Sequence, residues 1–222
     1  MIIKKLPIKA VLFDLDGTLL DTANDLGIAL NRLRASHAET DLPLELIRPA
    51  AGKGCKGLLK LGLNMEESHP DFAQFSDKLL DYYLEHLLDT TRLFAGMELV
   101  LEYLENANIP WGIVTNKPGK FTQKLVDGLQ LSSRAGCIIS GDTLPNRKPH
   151  PEPILHACKL LQHQPADCLY VGDAEIDMIA SKMAGTASLV ALYGYISEED
   201  KPHSWQADGY IQRPTDILAW IS

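Results

Sequence analysis

The sequence predicts an α/β protein: a doubly wound, Rossmann-like parallel sheet core with a small all-helical cap inserted after the first strand. Three observations predict it. Ala10-Val11-Leu12-Phe13 is an apolar run with the length and composition of a strand buried on both faces. From about residue 99 onward, short apolar runs alternate with stretches of helical spacing, the pattern of parallel α/β folds. Between these two regions, Thr22 to Arg92 carries helical periodicity and no good strand. The expected division is therefore residues 1–21 with 93–222 as core, and 22–92 as cap.

Each element follows from its local pattern. Thr22 with Asp25 three residues on resembles a capping box, and Leu26, Ala29, Leu30 and Leu33 repeat at helical spacing after it. Pro43 and Pro49 are expected to break the next segment, with Gly52-Lys53-Gly54 as a small flexible loop before Leu58, Leu59 and Leu61. A second long helix is expected from about Asp71 to Leu88, on a stripe including Phe72, Phe75, Leu79, Tyr83 and Leu87. Phe94-Ala95-Gly96 is the return hinge, and Leu99, Leu101, Tyr103 and Leu104 belong to a core helix. Strands are then expected at Trp111–Val114, Gly136–Ile139, Cys168–Val171 and Ser188–Leu192, with a short edge-like one at Tyr210-Ile211. The helices between and after them are Phe121–Leu129, Pro151–Leu161, Ile176–Ala184 (stopped by Gly185) and Thr215–Ile221.

Composition narrows the function. At 222 residues the chain has room for a core and an inserted module. Its net charge of −8 disfavours nucleic acid, whose phosphate backbone demands a basic surface. Any anionic ligand must then be drawn in locally, by a metal and a few cations. Cys55, Cys137, Cys158 and Cys168 form no Cys-x-x-Cys, which fits ordinary thiols in a reducing compartment. Lys4, Lys5 and Lys9 precede an apolar run that ends at Asp14, too short for a signal peptide. No run of eighteen apolar residues occurs, so no membrane span is expected and the cytoplasm is the default. Oligomeric state is not readable here.

In doubly wound sheets ligands bind beyond the carboxyl ends of the strands, and the chemistry-bearing residues collect there. Asp14 and Asp16, two apart on extended backbone, point the same way. Side by side they repel unless a cation sits between them, and such oxygen ligands favour a hard ion such as Mg²⁺. Gly17 permits a sharp turn, and Thr18 offers a hydroxyl and an N–H at its mouth. Thr115-Asn116-Lys117 brings a hydroxyl, an amide and a cation to the end of another strand. Lys148 lies between Arg147 and Pro149 in Arg-Lys-Pro-His-Pro, whose prolines fix the backbone and start a helix. Asp173 leaves the strand at Gly172, and Asp177 is one helical turn on, so both can face one point.

Asp14-Leu15-Asp16-Gly17-Thr18-Leu19 resembles the first motif of the haloacid dehalogenase-like hydrolases, most of which are phosphatases. Thr115, Lys148 and the Gly-Asp-x-x-x-Asp of 172–177 match its second, third and fourth motifs, in order. The resemblance implies Asp14 as nucleophile and Asp16 as general acid/base, with Thr115 and Lys148 completing the catalytic set. It implies Mg²⁺ held by Asp14, Asp16 (through its backbone carbonyl) and Asp173, with Asp177 behind or beside it. Gly17, Thr18, Asn116 and Lys117 would line the phosphate. The cap would close over the site, with Arg48 and Lys53 as contacts to a carboxylate or sugar. The implied partner is a small phosphomonoester. The chain as a whole resembles the phosphoglycolate phosphatase group. Gly141-Asp142-Thr143-Leu144, Tyr193-Gly194-Tyr195-Ile196 and Trp205 resemble its N-acetylmuramic acid 6-phosphate phosphatase relatives. A sugar-phosphate mutase of the same superfamily and a non-catalytic binding protein on this fold are the alternatives.

Overall fold

The structure, a computed structural model, describes residues 7–221; Lys4 and Lys5 lie outside the described residues. The chain divides into two compact units, Asp21–Arg92 and the residues on either side of it. In chain order, β1 (Ala10–Phe13) is followed by the two-residue strand β2 (Leu20–Asp21). Helices α1 (Ala23–Ala35), α2 (Leu44–Ala51), α3 (Gly54–Leu63) and α4 (Phe72–Glu85) come next, then β3 (Arg92–Leu93). The rest of the chain alternates: α5 (Met97–Asn106), β4 (Trp111–Val114), α6 (Gly119–Gly128), β5 (Cys137–Ile139), α7 (Glu152–Leu160) and β6 (Cys168–Gly172). It ends with α8 (Glu175–Ala184), β7 (Ala187–Ala191) and β8 (Gly209–Ile211).

The flanking unit is an α/β core, as the sequence predicts. Its sheet runs β5-β4-β1-β6-β7-β8 with every pairing parallel. The chain fills one side of β1 with β4 and β5, then crosses back to lay β6 against its other side. This reversal of strand order beside β1 is the switch point where such sheets open a crevice. All four residues of β1 are fully buried, which is why the strand is apolar throughout. Leu12, Val114, Ile139 and Tyr170 share one apolar cluster with Ile154, Ala157 and Ala180, from the helices α7 and α8. Trp111 meets Phe13 edge-on at 6.3 Å.

The Asp21–Arg92 unit is all-helical apart from its terminal strand residues, and α1 packs on α2, α3 and α4. Leu30 and Leu33 of α1, Ile47, Leu58 and Leu59, and Leu79 and Tyr83 form its core. Gly62 belongs there because a Cβ would stand 2.5 Å from Leu30 Cδ1. The Thr22/Asp25 capping box does not form: the Thr22 side chain makes no cap hydrogen bond. Asp25 is instead fully buried and accepts from Thr90 N–H (3.0 Å), Thr91 N–H (2.9 Å), Thr91 Oγ1 (2.7 Å) and Thr90 Oγ1. Four donors from the end of the unit outcompete the local cap.

Other local expectations also change. Pro49 lies inside α2, where it removes one backbone hydrogen bond without ending so short a helix. Gly52 and Lys53 form a tight turn between α2 and α3, closed by Lys53 N–H to Ala50 O (3.1 Å), in place of a flexible loop. Leu99 and Tyr103 are 59% and 42% exposed, because α5 buries the opposite stripe of Met97, Val100, Leu101 and Leu104. The last helix is a 3₁₀ segment, Pro214–Ala219. Asp216 accepts from the N–H groups of Gln212 and Arg213, and the Trp220 N–H bonds Ile217 O, so the segment winds tightly.

Replacing Asp25 by Ala would strand the N–H and hydroxyl of the buried Thr91, a cost of about 3 kcal/mol. Denaturant unfolding of Asp25→Ala checks this; a loss under about 1 kcal/mol would show that the Asp25 bonds do not hold the unit closed.

Candidate active site

The site is built outward from β1. Phe13 lies opposite Ile113 and Val171, so Asp14 leaves the sheet next to Val114 and Gly172, and its N–H donates to Val171 O (2.9 Å). Lys148, carried by the loop before α7, reaches the same point. Its ammonium is almost wholly buried and lies 2.9 Å from Asp14 Oδ1 and 2.8 Å from Asp177 Oδ1. It also donates to Val114 O (2.9 Å) and to Tyr170 Oη (2.8 Å). Three N–H bonds cannot serve four acceptors. Asp14 Oδ1 is the loser: it is buried, within ion-pair distance, and without a hydrogen-bond partner. Burial alone would pull the Lys148 ammonium down, but Asp14 and Asp177 outweigh it and hold it above its ordinary value.

Asp173, at the end of β6, is also buried. Its Oδ2 accepts from Tyr195 N–H (2.7 Å) and its Oδ1 from Thr18 Oγ1 (3.3 Å). Two glycines make room for it. A Cβ on Gly17 would stand 2.1 Å from Asp173 Oδ2, and Gly17 has φ +81°, so it is fixed by both space and backbone. A Cβ on Gly194 would come within 2.4 Å of Asp173 Cβ. Thr18 is fully buried, with its hydroxyl on Asp173 and its carbonyl accepting from Tyr193 Oη (3.1 Å). Asp177, fully buried, also caps its own helix, its Oδ2 accepting from Ala174 N–H (3.0 Å).

The segment after β4 reaches the backbone of Lys148 and the carboxyl group of Asp16. Thr115 is 4% exposed; its hydroxyl accepts from Lys117 N–H (3.1 Å), which leaves its proton to donate. Asn116 grips the backbone of Lys148 from both sides, Nδ2 to Lys148 O (2.8 Å) and Lys148 N–H to Oδ1 (3.0 Å). Its amide is thus engaged in holding the lysine loop. Lys117 Nζ lies 3.0 and 3.1 Å from the two carboxyl oxygens of Asp16. Arg48 and Lys53 belong to the other unit. Arg48 NH1 is within 3.0 and 2.9 Å of both oxygens of Asp21, and Lys53 sits in the turn before α3.

Two contributors escape a reading of the sequence. Tyr170 reads as one more apolar strand residue, yet its hydroxyl lies at the centre of the cluster, within donating distance of Val114 O (2.9 Å) and Asp177 Oδ1 (3.3 Å). The signal was available, since a buried phenol requires a polar partner. The Tyr193-Gly194-Tyr195 turn carries no carboxylate or amine, and it acts through the Tyr195 N–H on Asp173 and the Tyr193 hydroxyl on the Thr18 carbonyl.

Asp14, Asp173 and Asp177 can each offer an oxygen, all within 4.8 Å of one another. Two of these carboxyl groups, those of Asp14 and Asp177, pair with the one Lys148 ammonium. Burial, opposed by Lys148 and reinforced by Asp177, pushes Asp14 up to about 6; burial with Asp14 and Asp177 holds Asp173 well above the usual range. An orphaned carboxylate oxygen in a cluster short of positive charge fits a divalent cation with oxygen ligands. For metal-free protein the sign is clear: the folded state holds its Asp14 proton longer than the unfolded chain. Stability from this group is present below about pH 4 and is lost as pH rises through about 6. Metal-free Asp14→Asn should therefore melt higher than wild type at pH 7.5, with the gap closing towards pH 4. Divalent metal at a hundredfold excess over its Kd should raise the wild-type midpoint by about 5–10 °C, and that of Asp14→Asn less. Thermal unfolding with and without chelator checks both; equal shifts for the two proteins would remove Asp14 from the ligand set.

A family model described as haloacid dehalogenase-like hydrolase matches residues 11–191. A phosphoglycolate phosphatase from Xanthomonas campestris is 40% identical over 216 residues, covering 96% of this chain and 97% of that protein. An N-acetylmuramic acid 6-phosphate phosphatase from Pseudomonas putida is 38% identical, covering 95% and 94%. The crystal structure of a predicted phosphoglycolate phosphatase from Haemophilus somnus shares 27% identity at a TM-score of 0.82, covering 97% of this chain and 98% of that one. The structure of a haloacid dehalogenase-like family hydrolase from Streptococcus pneumoniae, 22% identical at a TM-score of 0.81 over 96% and 98%, shares the fold. The matched span of the family model runs from β1 to the end of β7 and takes in Asp14, Thr115, Lys148 and Asp173, and on that ground the chain belongs to the haloacid dehalogenase-like hydrolase family.

Proposed function

We propose that this protein is a phosphomonoester phosphatase for a small carboxylated phosphate, working through an aspartyl-phosphate on Asp14. The observation that carries the reading is the convergence of Asp14, Lys148 and Asp173 with the Thr115 hydroxyl at the ends of adjacent parallel strands. Asp14 attacks phosphorus in line, the ester P–O bond breaks, and Asp16 protonates the departing alkoxide. Asp16 then takes a proton from water, which attacks the aspartyl-phosphate and releases phosphate, restoring Asp14. Lys148 and Thr115 offer charge and a hydrogen bond to the oxygens that gain charge. Mg²⁺, held by Asp14, Asp173 and the Asp16 carbonyl with Asp177 beside it, would supply neutralisation of the substrate's negative charge.

The relatives' names point to 2-phosphoglycolate and N-acetylmuramate 6-phosphate. Both are phosphomonoesters that also carry a carboxylate. Selection of the non-phosphate part is assigned to the helical Asp21–Arg92 unit, acting as a cap, with Arg48 and Lys53 as candidate contacts. Among the described residues no helix is long and apolar enough to cross a membrane, and all four cysteines are free, which suits the reducing cytoplasm.

The deciding experiment measures phosphate release from 2-phosphoglycolate, N-acetylmuramate 6-phosphate, hexose phosphates and nucleoside monophosphates, with Mg²⁺ and with chelator. Mg²⁺-dependent release from one of the first two is expected, abolished in Asp14→Asn. Phosphate moved to a second position on a sugar, with none released, would make the protein a mutase. Asp16→Asn should lower turnover by about 10²–10⁴-fold while metal and phosphate still bind. Preserved turnover in that variant would remove Asp16 from proton transfer.

A further inference from the structure

We propose that Lys117 is a positioning residue that holds the Asp16 carboxyl group in line for proton transfer, not a phosphate contact. The inference rests on the phosphatase reading, since it concerns the proton donor of that reaction. Its basis is geometric. Lys117 Nζ meets both oxygens of Asp16, at 3.0 and 3.1 Å, and so holds the carboxyl group by both of its oxygens at once. The Lys117 side chain is 8% exposed and that of Asp16 21%, so the pair is not a solvated surface bridge whose ends rotate freely.

The lysine is anchored where it starts. Its N–H donates to Thr115 Oγ1 (3.1 Å), and its carbonyl accepts from Gly141 N–H (2.9 Å) and Thr122 Oγ1 (3.1 Å). The ammonium thus reaches Asp16 from a backbone bonded to α6 and to the loop after β5. Asp16 sits in the turn after β1, directly before Gly17, a residue at positive φ. A proton donor displaced by about 1 Å loses on the order of 10²-fold in rate, which sets what such a clamp is worth.

The test exploits the leaving group. An alkyl phosphate needs a proton on its departing oxygen; p-nitrophenyl phosphate, whose leaving group is a stable anion, does not. kcat/KM reports the steps through formation of the aspartyl-phosphate. In Lys117→Met, the ratio of kcat/KM for an alkyl phosphate to that for p-nitrophenyl phosphate should fall on the order of 10²-fold. In an Asp16→Asn background, Lys117→Met should add no further loss with p-nitrophenyl phosphate. Lys117→Arg, which keeps the cation with different donor geometry, should shift the ratio in the same direction by less, and it serves as the reading if the Met variant does not fold. An unchanged ratio with a raised KM for both esters would overturn the proposal and make Lys117 a phosphate contact. Wild-type protein that releases phosphate from neither ester would instead refute the phosphatase reading itself.

Discussion

A single buried ammonium, that of Lys148, sets the terms for everything around it. Inside a dry site an unpaired charge is costly, and Lys148 is held by the charges of Asp14 and Asp177 and by hydrogen bonds to Tyr170 and the carbonyl of Val114. Each of these comes from a different part of the core: β1, α8, β6 and β4. The lysine therefore measures whether the sheet is correctly assembled, because a displaced strand would leave it without one of its partners. Its loop is in turn gripped by Asn116, so the cation and the strand that receives it are bound to each other twice.

The same cluster is left with more negative than positive charge. Burial and the Asp177 charge raise the cost of ionising Asp14, burial with Asp14 and Asp177 raises that of Asp173, and Asp14 Oδ1 has no hydrogen bond. Burial makes that cost larger, and the surrounding sheet has to carry it. Stability and function pull in opposite directions at this point, as they commonly do at reactive sites.

What could be read in the sequence was what is local. The apolar run ending at Asp14, the Asp-x-Asp spacing, the prolines around Lys148 and the helical turn from Asp173 to Asp177 are contained within a few residues each. Pairings across the chain could not be read so directly. Lys117 and Asp16 are 101 positions apart, and nothing near Lys117 says that a carboxyl group waits for it. Tyr170 was concealed by its neighbours, since Leu169 and Val171 make the run look purely apolar. Thr22 and Asp25 had the spacing of a cap, but four donors at Thr90 and Thr91 offered Asp25 more than the helix end did. Leu99 and Tyr103 read as core because hydrophobicity alone does not say which stripe of a helix faces inward.

Asp25 has an effect on how the chain can be assembled. It joins the beginning of the Asp21–Arg92 unit to its end, so the ends of that long excursion are tied together within the unit. The core strands on either side then experience it as they would a short connection. Loop entropy rises only slowly with length, by about 0.6 kcal/mol per doubling, and a base that is already closed removes most of even that dependence. The excursion can accordingly lengthen, shorten or exchange its helices without disturbing the sheet, so long as the acid at its start and the two threonines at its end remain.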